Sequence, residues 1–208
     1  MAGASPPFPL PGRHVVPALA LAVRRGLTQE WAASPLRRWA LAHPAPDGLG
    51  ATPADLRPAD PETGRRILAG AFLLAGETLA VGPRGDPWDR ASPSRRFAVA
   101  LHRFGWMGGL LAAGPEGAVE GLRLTLEWRR LFGRWNAFAW SAEVLERRVF
   151  NLACAARALC VRASEAETAQ IALDLARQAR FLLSAPEGPA RAAERAVAAA
   201  VAGAALGG

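Results

Sequence analysis

Between Leu145 and Leu159 the apolar residues Leu145, Val149, Leu152, Ala156 and Leu159 recur at alternating steps of four and three. That is the period of one helical face. Ser141 is placed to cap this helix, and Glu143 lies in its first turn, where a carboxylate complements the helix dipole. Trp140, Glu143, Val144, Arg147 and Asn151 fall on roughly the opposite face, with Arg148 at the border. A Trp, an Asn and arginines suit a face that looks into a groove. The plainer alternative is an i,i+4 pair between Glu143 and Arg147, worth about 0.3 kcal/mol. The stretch Gly133–Leu159 is the one the remaining elements are expected to support.

Periodicity and breakers divide the rest of the chain. Residues 1–12 are Pro-rich and expected to be extended or disordered. Val15 to Gly26 is expected to form a first helix, with Pro17 near its start and Gly26 as its stop. Ser34 caps a short helix to His43, with Leu36, Trp39 and Leu41 apolar and Arg37 and Arg38 polar. An Arg/Trp amphipathic turn of this kind can lie on a membrane; two turns favour packing on the body of the protein. His43–Glu62 is a Pro-punctuated connector. Over residues 67–83 a helical and a strand pattern compete. Glycines at 70, 76 and 82 favour a hairpin, Gly70–Leu74 and Glu77–Val81 turning at Ala75–Gly76. A loop over 82–94 carries Trp88.

Pro93 at the first position then opens a helix over Ser94–Phe104, interrupted at Gly105–Trp106 and resumed over Met107–Ala113. Glu116–Phe132 is apolar around most of its circumference, which predicts burial. Ser164 and Glu167 make a capping box for a helix to Leu183. Pro186, Gly188 and Pro189 break it, and an Ala-rich helix over about 190–206 stops at Gly207. That last helix is apolar on several sides and calls for a covering neighbour. The predicted architecture is all-α, a series of antiparallel helical hairpins with one small β-hairpin near residues 70–81. It divides into an N-terminus (1–12), N-terminal helices with their connector (13–63) and a helical domain (64–208).

Composition narrows the function. Of 208 residues 51% are hydrophobic, enough for a substantial core. The net charge of +7 is carried by Arg alone. Arg-only usage beside abundant Ala, Gly and Pro reflects coding bias, and the arginines are scattered as pairs such as 37–38, 129–130 and 147–148. A nucleic-acid partner is therefore not expected, and no binding signature supports one. An anionic partner is still favoured by the charge. Cys154 and Cys160 diverge by about 120° on one helix, too far for a disulfide, and lack a nearby His for zinc. They are expected to be buried hydrophobes; no metal site or cofactor is expected. No stretch reaches the length of an integral membrane span. The run VVPALALAV at 15–23 is followed rather than preceded by Arg24 and Arg25, the wrong polarity for a signal peptide.

Three segments together resemble the N-terminal region of the heparinase II/III-like polysaccharide lyases. They are RPADPETGRRILAGAFLLAGETL (57–79), DPWDRASPSRRFAVALHRFGWMGGL (86–110) and FGRWNAFAWSAEVLERRVFNL (132–152). The resemblance implies an α/α toroid of helical hairpins holding a sugar groove, so the domain over 64–208 would be part of such a toroid. It also implies that the rest of the toroid and a β-sandwich lie beyond this chain. Full-length relatives would cleave an acidic, uronate-containing polysaccharide by β-elimination. A base takes the proton α to the carboxyl group, an acid protonates the leaving oxygen, and a polar or cationic group stabilises the enolate-like carboxylate.

Such enzymes use Tyr and His, and this chain has no Tyr. His14, His43 and His102 lie on structural segments, and no catalytic residue is carried over to any position; this chain alone is expected to be inactive. What the resemblance implies is groove lining: Trp140, Arg147, Arg148 and Asn151, with Trp88 and Trp135 as stacking platforms for sugar rings. Each Trp could equally be core, and Asn151 could satisfy a backbone group. The partner implied is an acidic polysaccharide, at the cell envelope or in the periplasm. The alternative is a non-catalytic helical-repeat interaction module.

Overall fold

The computed structural model describes residue 23, residues 26–184 and residues 191–207. The expected Pro-rich N-terminus 1–12, nearly all of the helix expected over Val15–Gly26, His14 and the break at Pro186–Pro189 lie outside the described residues.

Residues 26–33 are helical (α1), so Gly26 sits inside a helix rather than ending one. The punctuation falls at Ser34, whose hydroxyl accepts from the Arg37 N–H at 3.1 Å and caps α2 (Pro35–Ala42), with Pro35 in its first turn. The connector is shorter than expected, because its last residues open another helix, α3 (Pro61–Leu68). Asp60 caps it, accepting from the N–H groups of Glu62 and Thr63 at 3.0 and 3.2 Å, and Pro61 follows. The hairpin forms as expected, from β1 (Ala71–Leu74) and β2 (Glu77–Ala80) in antiparallel register with Leu74 opposite Glu77. Ala75 and Gly76 both take positive φ, 52° and 82°, the tight turn whose twist matches that of the strands.

Ser94, not Pro93, borders α4 (Arg95–His102): its hydroxyl accepts from the Phe97 N–H at 3.2 Å, which leaves Pro93 outside the helix. A turn at Arg103–Trp106 leads into α5 (Met107–Ala112), then α6 (Pro115–Phe132) and α7 (Ala142–Leu159). A 3-10 turn (Cys160–Arg162) precedes α8 (Glu165–Ser184), which is entered through the expected capping box. The backbone N–H of Ser164 donates to the Glu167 carboxylate at 2.8 Å, and the Glu167 N–H donates back to the Ser164 hydroxyl at 3.2 Å. The chain closes with α9 (Ala192–Leu206), which stops at Gly207 in the left-handed conformation.

Successive helices pack as antiparallel neighbours, α5 on α6, α7 on α8 and α8 on α9, forming part of an α/α toroid. α7 lies at the centre, against α4, α5, α6, α8 and α9. The expected inward face, Leu145 to Leu159, is buried, but so are Val144, Glu146, Arg148 and Asn151 on the other side. Helices on several sides leave α7 almost no solvated face; Arg147 and Arg157 are its exposed residues. One side of the core is aromatic, built from Phe97, Phe104, Trp106 and Trp128; the other is aliphatic, with Leu152, Leu159, Ile171 and Leu175. α3 crosses α5 at very close range, since a Cβ on Gly64 would meet the Gly109 carbonyl oxygen at 2.3 Å. Cys154 and Cys160 are free and half-buried rather than fully buried. α9 covers itself on α7 and α8 through Ala198, Ala202 and Ala205, while Val197 stays exposed.

Candidate functional site

Of the residues expected to line a groove, four are held inside the protein. Arg148 has 0% exposure. Its Nε donates to Gln178 Oε1 at 2.6 Å, its Nη1 donates to the carbonyls of Ala139 and His102 at 2.7 and 3.3 Å, and its guanidinium lies over the Trp128 ring. Burial pulls its pKa down to about 9, so it stays charged at neutral pH. It acts as a bracket tying α7 to α8 and to the loop before α7. Trp88 packs against His102 and Phe104, its ring N–H donating to the Leu124 carbonyl at 3.0 Å. Asn151 takes the backbone-satisfying alternative: its amide donates to the Arg103 carbonyl at 2.7 Å, and its oxygen accepts from Arg57 of the connector. Trp140 is also buried, donating to the Phe132 carbonyl at 2.9 Å.

His102 belongs to this interior. Its Nδ1 accepts from the Trp128 ring N–H at 3.0 Å, which assigns the proton of the neutral ring to Nε2. Phe132 and Phe138 pack edge-on against it. Burial, reinforced by the Arg148 charge, lowers its pKa to about 3. A ring so placed stays neutral and out of reach of a substrate.

The structure does bring Trp135 and Trp140 together. They line a cleft of about 390 Å³ between α1–α2 and the loop and helix behind them, with Arg38, Arg134 and Arg177 around it and Phe181 at its wall. Arg177 donates to Asp174 at 3.2 Å and to the Gly133 carbonyl at 3.1 Å; burial lowers its pKa, and the Asp174 charge opposes that. Asp174 is raised by its own burial, against the pull of Arg129 and Arg177. Arg38 and Arg134 have no carboxylate partner among the described residues. The cleft is therefore cationic and aromatic. Arg147 lies elsewhere, in a recess of about 360 Å³ beside Glu146, Phe150 and Val197. None of the cleft arginines was expected from the sequence to line a groove; Arg134 is the chain neighbour of Trp135, and Arg38 and Arg177 join it through tertiary packing.

Above the cleft, α1 and α2 turn their apolar residues outward. Leu27, Trp31, Leu36 and Trp39 are exposed, the two Trp by 50% and 61%. None of the residues of α2 is buried. Arg37 anchors the pair to α8, donating to the Ser184 hydroxyl at 2.7 Å and lying over the Phe181 ring, and Arg180 donates to the Leu41 carbonyl at 2.9 Å. Among the described residues no helix is long and apolar enough to cross a membrane, and no group of His, Cys, Asp and Glu is arranged to hold a metal ion.

No family model matches the chain. It is similar to FtsZ-localized protein C of Caulobacter vibrioides (strain NA1000 / CB15N), at 55% identity over 180 residues, 86% of this chain. The chain spans 31% of that protein's length. Among solved structures it is similar to a heparan sulfate lyase HepC mutant from Pedobacter heparinus, with a TM-score of 0.55 and 22% identity over 90% of this chain and 33% of that one. At that identity the likeness shows the fold alone, a polysaccharide-lyase-like helical toroid.

Proposed function

We propose that this chain is the helical portion of an FtsZ-localised protein and serves there as a non-catalytic module that rests on an anionic membrane surface. The observation that carries the membrane part is the outward-facing set Leu27, Trp31, Leu36 and Trp39 on the N-terminal helix pair. Large exposed apolar side chains at helical spacing, Leu27 with Trp31 and Leu36 with Trp39, are the kind of surface that meets a partner. Trp beside Arg suits the headgroup region of a bilayer, where the ring sits at the boundary and the guanidinium meets phosphate. The chain's charge of +7 favours the same anionic surface. The association with FtsZ comes from the relative, at 55% identity. Burial of His102 supports a non-catalytic role, since the one His on the central helices is sequestered. The proposed location is accordingly a membrane surface, together with FtsZ.

Two measurements test this. The chain should co-sediment with vesicles containing phosphatidylglycerol and not with neutral phosphatidylcholine vesicles, and Trp31→Ser with Trp39→Ser should abolish the binding while leaving the thermal melt unchanged. Binding that is absent, or indifferent to these substitutions, removes the membrane role. A fluorescent fusion of the full-length protein should coincide with labelled FtsZ in cells; a uniform distribution removes the association.

A second reading is favoured by the cleft itself. Trp135 and Trp140 with Arg38 and Arg134 form an aromatic, cationic surface on a lyase-like frame, the chemistry that binds uronate sugars. In this reading Arg148, bonded to the Ala139 carbonyl next to Trp140, supports the cleft from behind, Trp88 and Asn151 are structural, and β-elimination would belong to the longer protein. Calorimetric titration with uronate oligosaccharides tests it: affinity unchanged in the Arg38→Ala, Arg134→Ala double variant excludes the cleft.

A further inference from the structure

A second concavity lies apart from the cleft and shares no residue with it. It runs along α6 to the junction of α7 and α8 and encloses about 760 Å³. Its floor is apolar, formed by Leu111, Leu122, Leu126 and Leu159, and Val119 and Val161 stand at its lips. Val161 is 77% exposed, an arrangement that leaves apolar surface in water at a cost. The rim is cationic. Arg84, Arg130 and Arg162 line it and form no ion pair among the described residues. Each carboxylate at its wall has one oxygen engaged: Glu127 Oε1 accepts from Arg123 at 2.6 Å, and Glu167 Oε2 accepts from the Ser164 cap.

We propose that this groove binds an acidic, helix-forming segment of a partner protein that carries an apolar stripe. Shape argues for a helix. The groove follows Pro115, Ala118, Leu122, Leu126 and Arg130 along α6, steps of three and four that make a straight ridge. Fifteen residues of helix rise about 22 Å, the length of a four-turn helix laid alongside. The apolar floor takes the stripe, as in other helix-in-groove recognition. Charge decides the flanks: Glu127 is paired with Arg123, and against the one remaining carboxylate, Glu167 at the α8 cap, Arg84, Arg130 and Arg162 leave the rim net cationic, which favours Glu or Asp beside the stripe and disfavours Lys. The membrane reading is not required for this, and the two fail independently.

The test uses the 208-residue chain and fluorescein-labelled peptides of about four helical turns, read by fluorescence anisotropy. One peptide has Leu at i, i+3, i+4 and i+7 with Glu elsewhere; a second has the same composition scrambled; a third carries Lys in place of Glu. The striped Glu peptide should bind saturably, at least about tenfold more tightly than either control. Val119→Glu should weaken it by at least about tenfold, and so should Arg130→Glu with Arg162→Glu. Unchanged thermal melts show that these surface variants are folded. Absence of saturable binding, equal binding of a control peptide, or wild-type affinity in both variants overturns the proposal. So does a dimer in analytical ultracentrifugation that Val119→Glu dissociates, because the groove would then belong to a second copy of this chain.

Discussion

α7 and the N-terminal helix pair are written in the same residues and used in opposite ways. α7 carries Arg147-Arg148 and is entered from Trp140, two residues before its start, and α2 carries Arg37-Arg38 just before Trp39. The second arginine of α7 and the Trp just ahead of the helix are inside the protein: the Trp140 ring N–H and the Nε and Nη1 of Arg148 each meet a carbonyl or an amide, while Arg148 Nη2 has no hydrogen-bond partner among the described residues and the guanidinium lies over the Trp128 ring. In α2 the Trp is largely exposed, and among the described residues it stacks on the exposed His43. The difference lies in the neighbours. Helices pack around α7 on several sides, whereas α2 touches the body through α8. Arg and Trp in a helix therefore report a need for partners, and the surrounding elements decide whether those partners are the protein's own.

The sharpest way to break the comparison is at the paired arginines. Arg148→Ala should cost about 3–5 kcal/mol, because it strands Gln178 and two carbonyls in the interior and opens a void beneath Trp128. Arg38→Ala should stay within about 0.5 kcal/mol, as expected of a surface residue that forms no ion pair among the described residues. Urea denaturation of the two variants measures both. Equal losses would mean that α2 is as much a part of the core as α7.

A second test uses pH and acts on α4 and α6, beside α7. In the unfolded chain His102 titrates at its ordinary 6.5, and in the folded protein burial holds it near 3. Between those values the unfolded state takes up a proton that the folded state refuses. The stability this site contributes is therefore complete above about pH 6.5 and is lost as pH falls toward 3. Going from pH 7 to pH 5 should remove about 2 kcal/mol. Asp174, lifted by burial, acts in the opposite sense near its own titration. The imidazole is isolated by comparison with His102→Gln, whose stability should fall less over the same interval. Parallel pH profiles for the two proteins would show that His102 is not the titrating group.

The same contrast explains what could be read along the chain. Elements set by local rules were legible: the apolar face from Leu145 to Leu159, the Ser164–Glu167 box and the turn at Ala75–Gly76 all depend on residues close in sequence. α3 was missed although Asp60, Pro61 and Glu62 are a cap, a first-turn proline and a first-turn acid, because the prolines before them suggested a continuous connector. The candidate site was less legible. Helical periodicity placed Trp140, Arg147 and Asn151 on one face, but it cannot say whether that face meets water or another element. Asn151 meets the connector through Arg57, nearly a hundred positions earlier, and Arg177 reaches the cleft by the packing of α8 on the loop at Gly133. Contacts of that range have no local signature.

The smallest effect separates the two regions at their helix caps. Ser164 and Ser34 make the same bond, a hydroxyl accepting from the N–H three residues on, at 3.2 and 3.1 Å. Replacing either by Ala removes about 1 kcal/mol from its helix. At Ser164 the whole loss should appear in global stability, because α8 carries Ile171, Leu175 and Leu182 in the core and cannot melt alone. At Ser34 the global transition should move by less than half as much. α2 buries none of its residues and can open without the body, so its cap stabilises a local equilibrium. Amide exchange reads that directly: Ser34→Ala should speed exchange in α2 about fivefold and leave α7 unchanged. If both substitutions shift the urea midpoint alike, α1–α2 unfolds with the core, and its outward Trp residues belong to a rigid surface rather than to a separately melting pair.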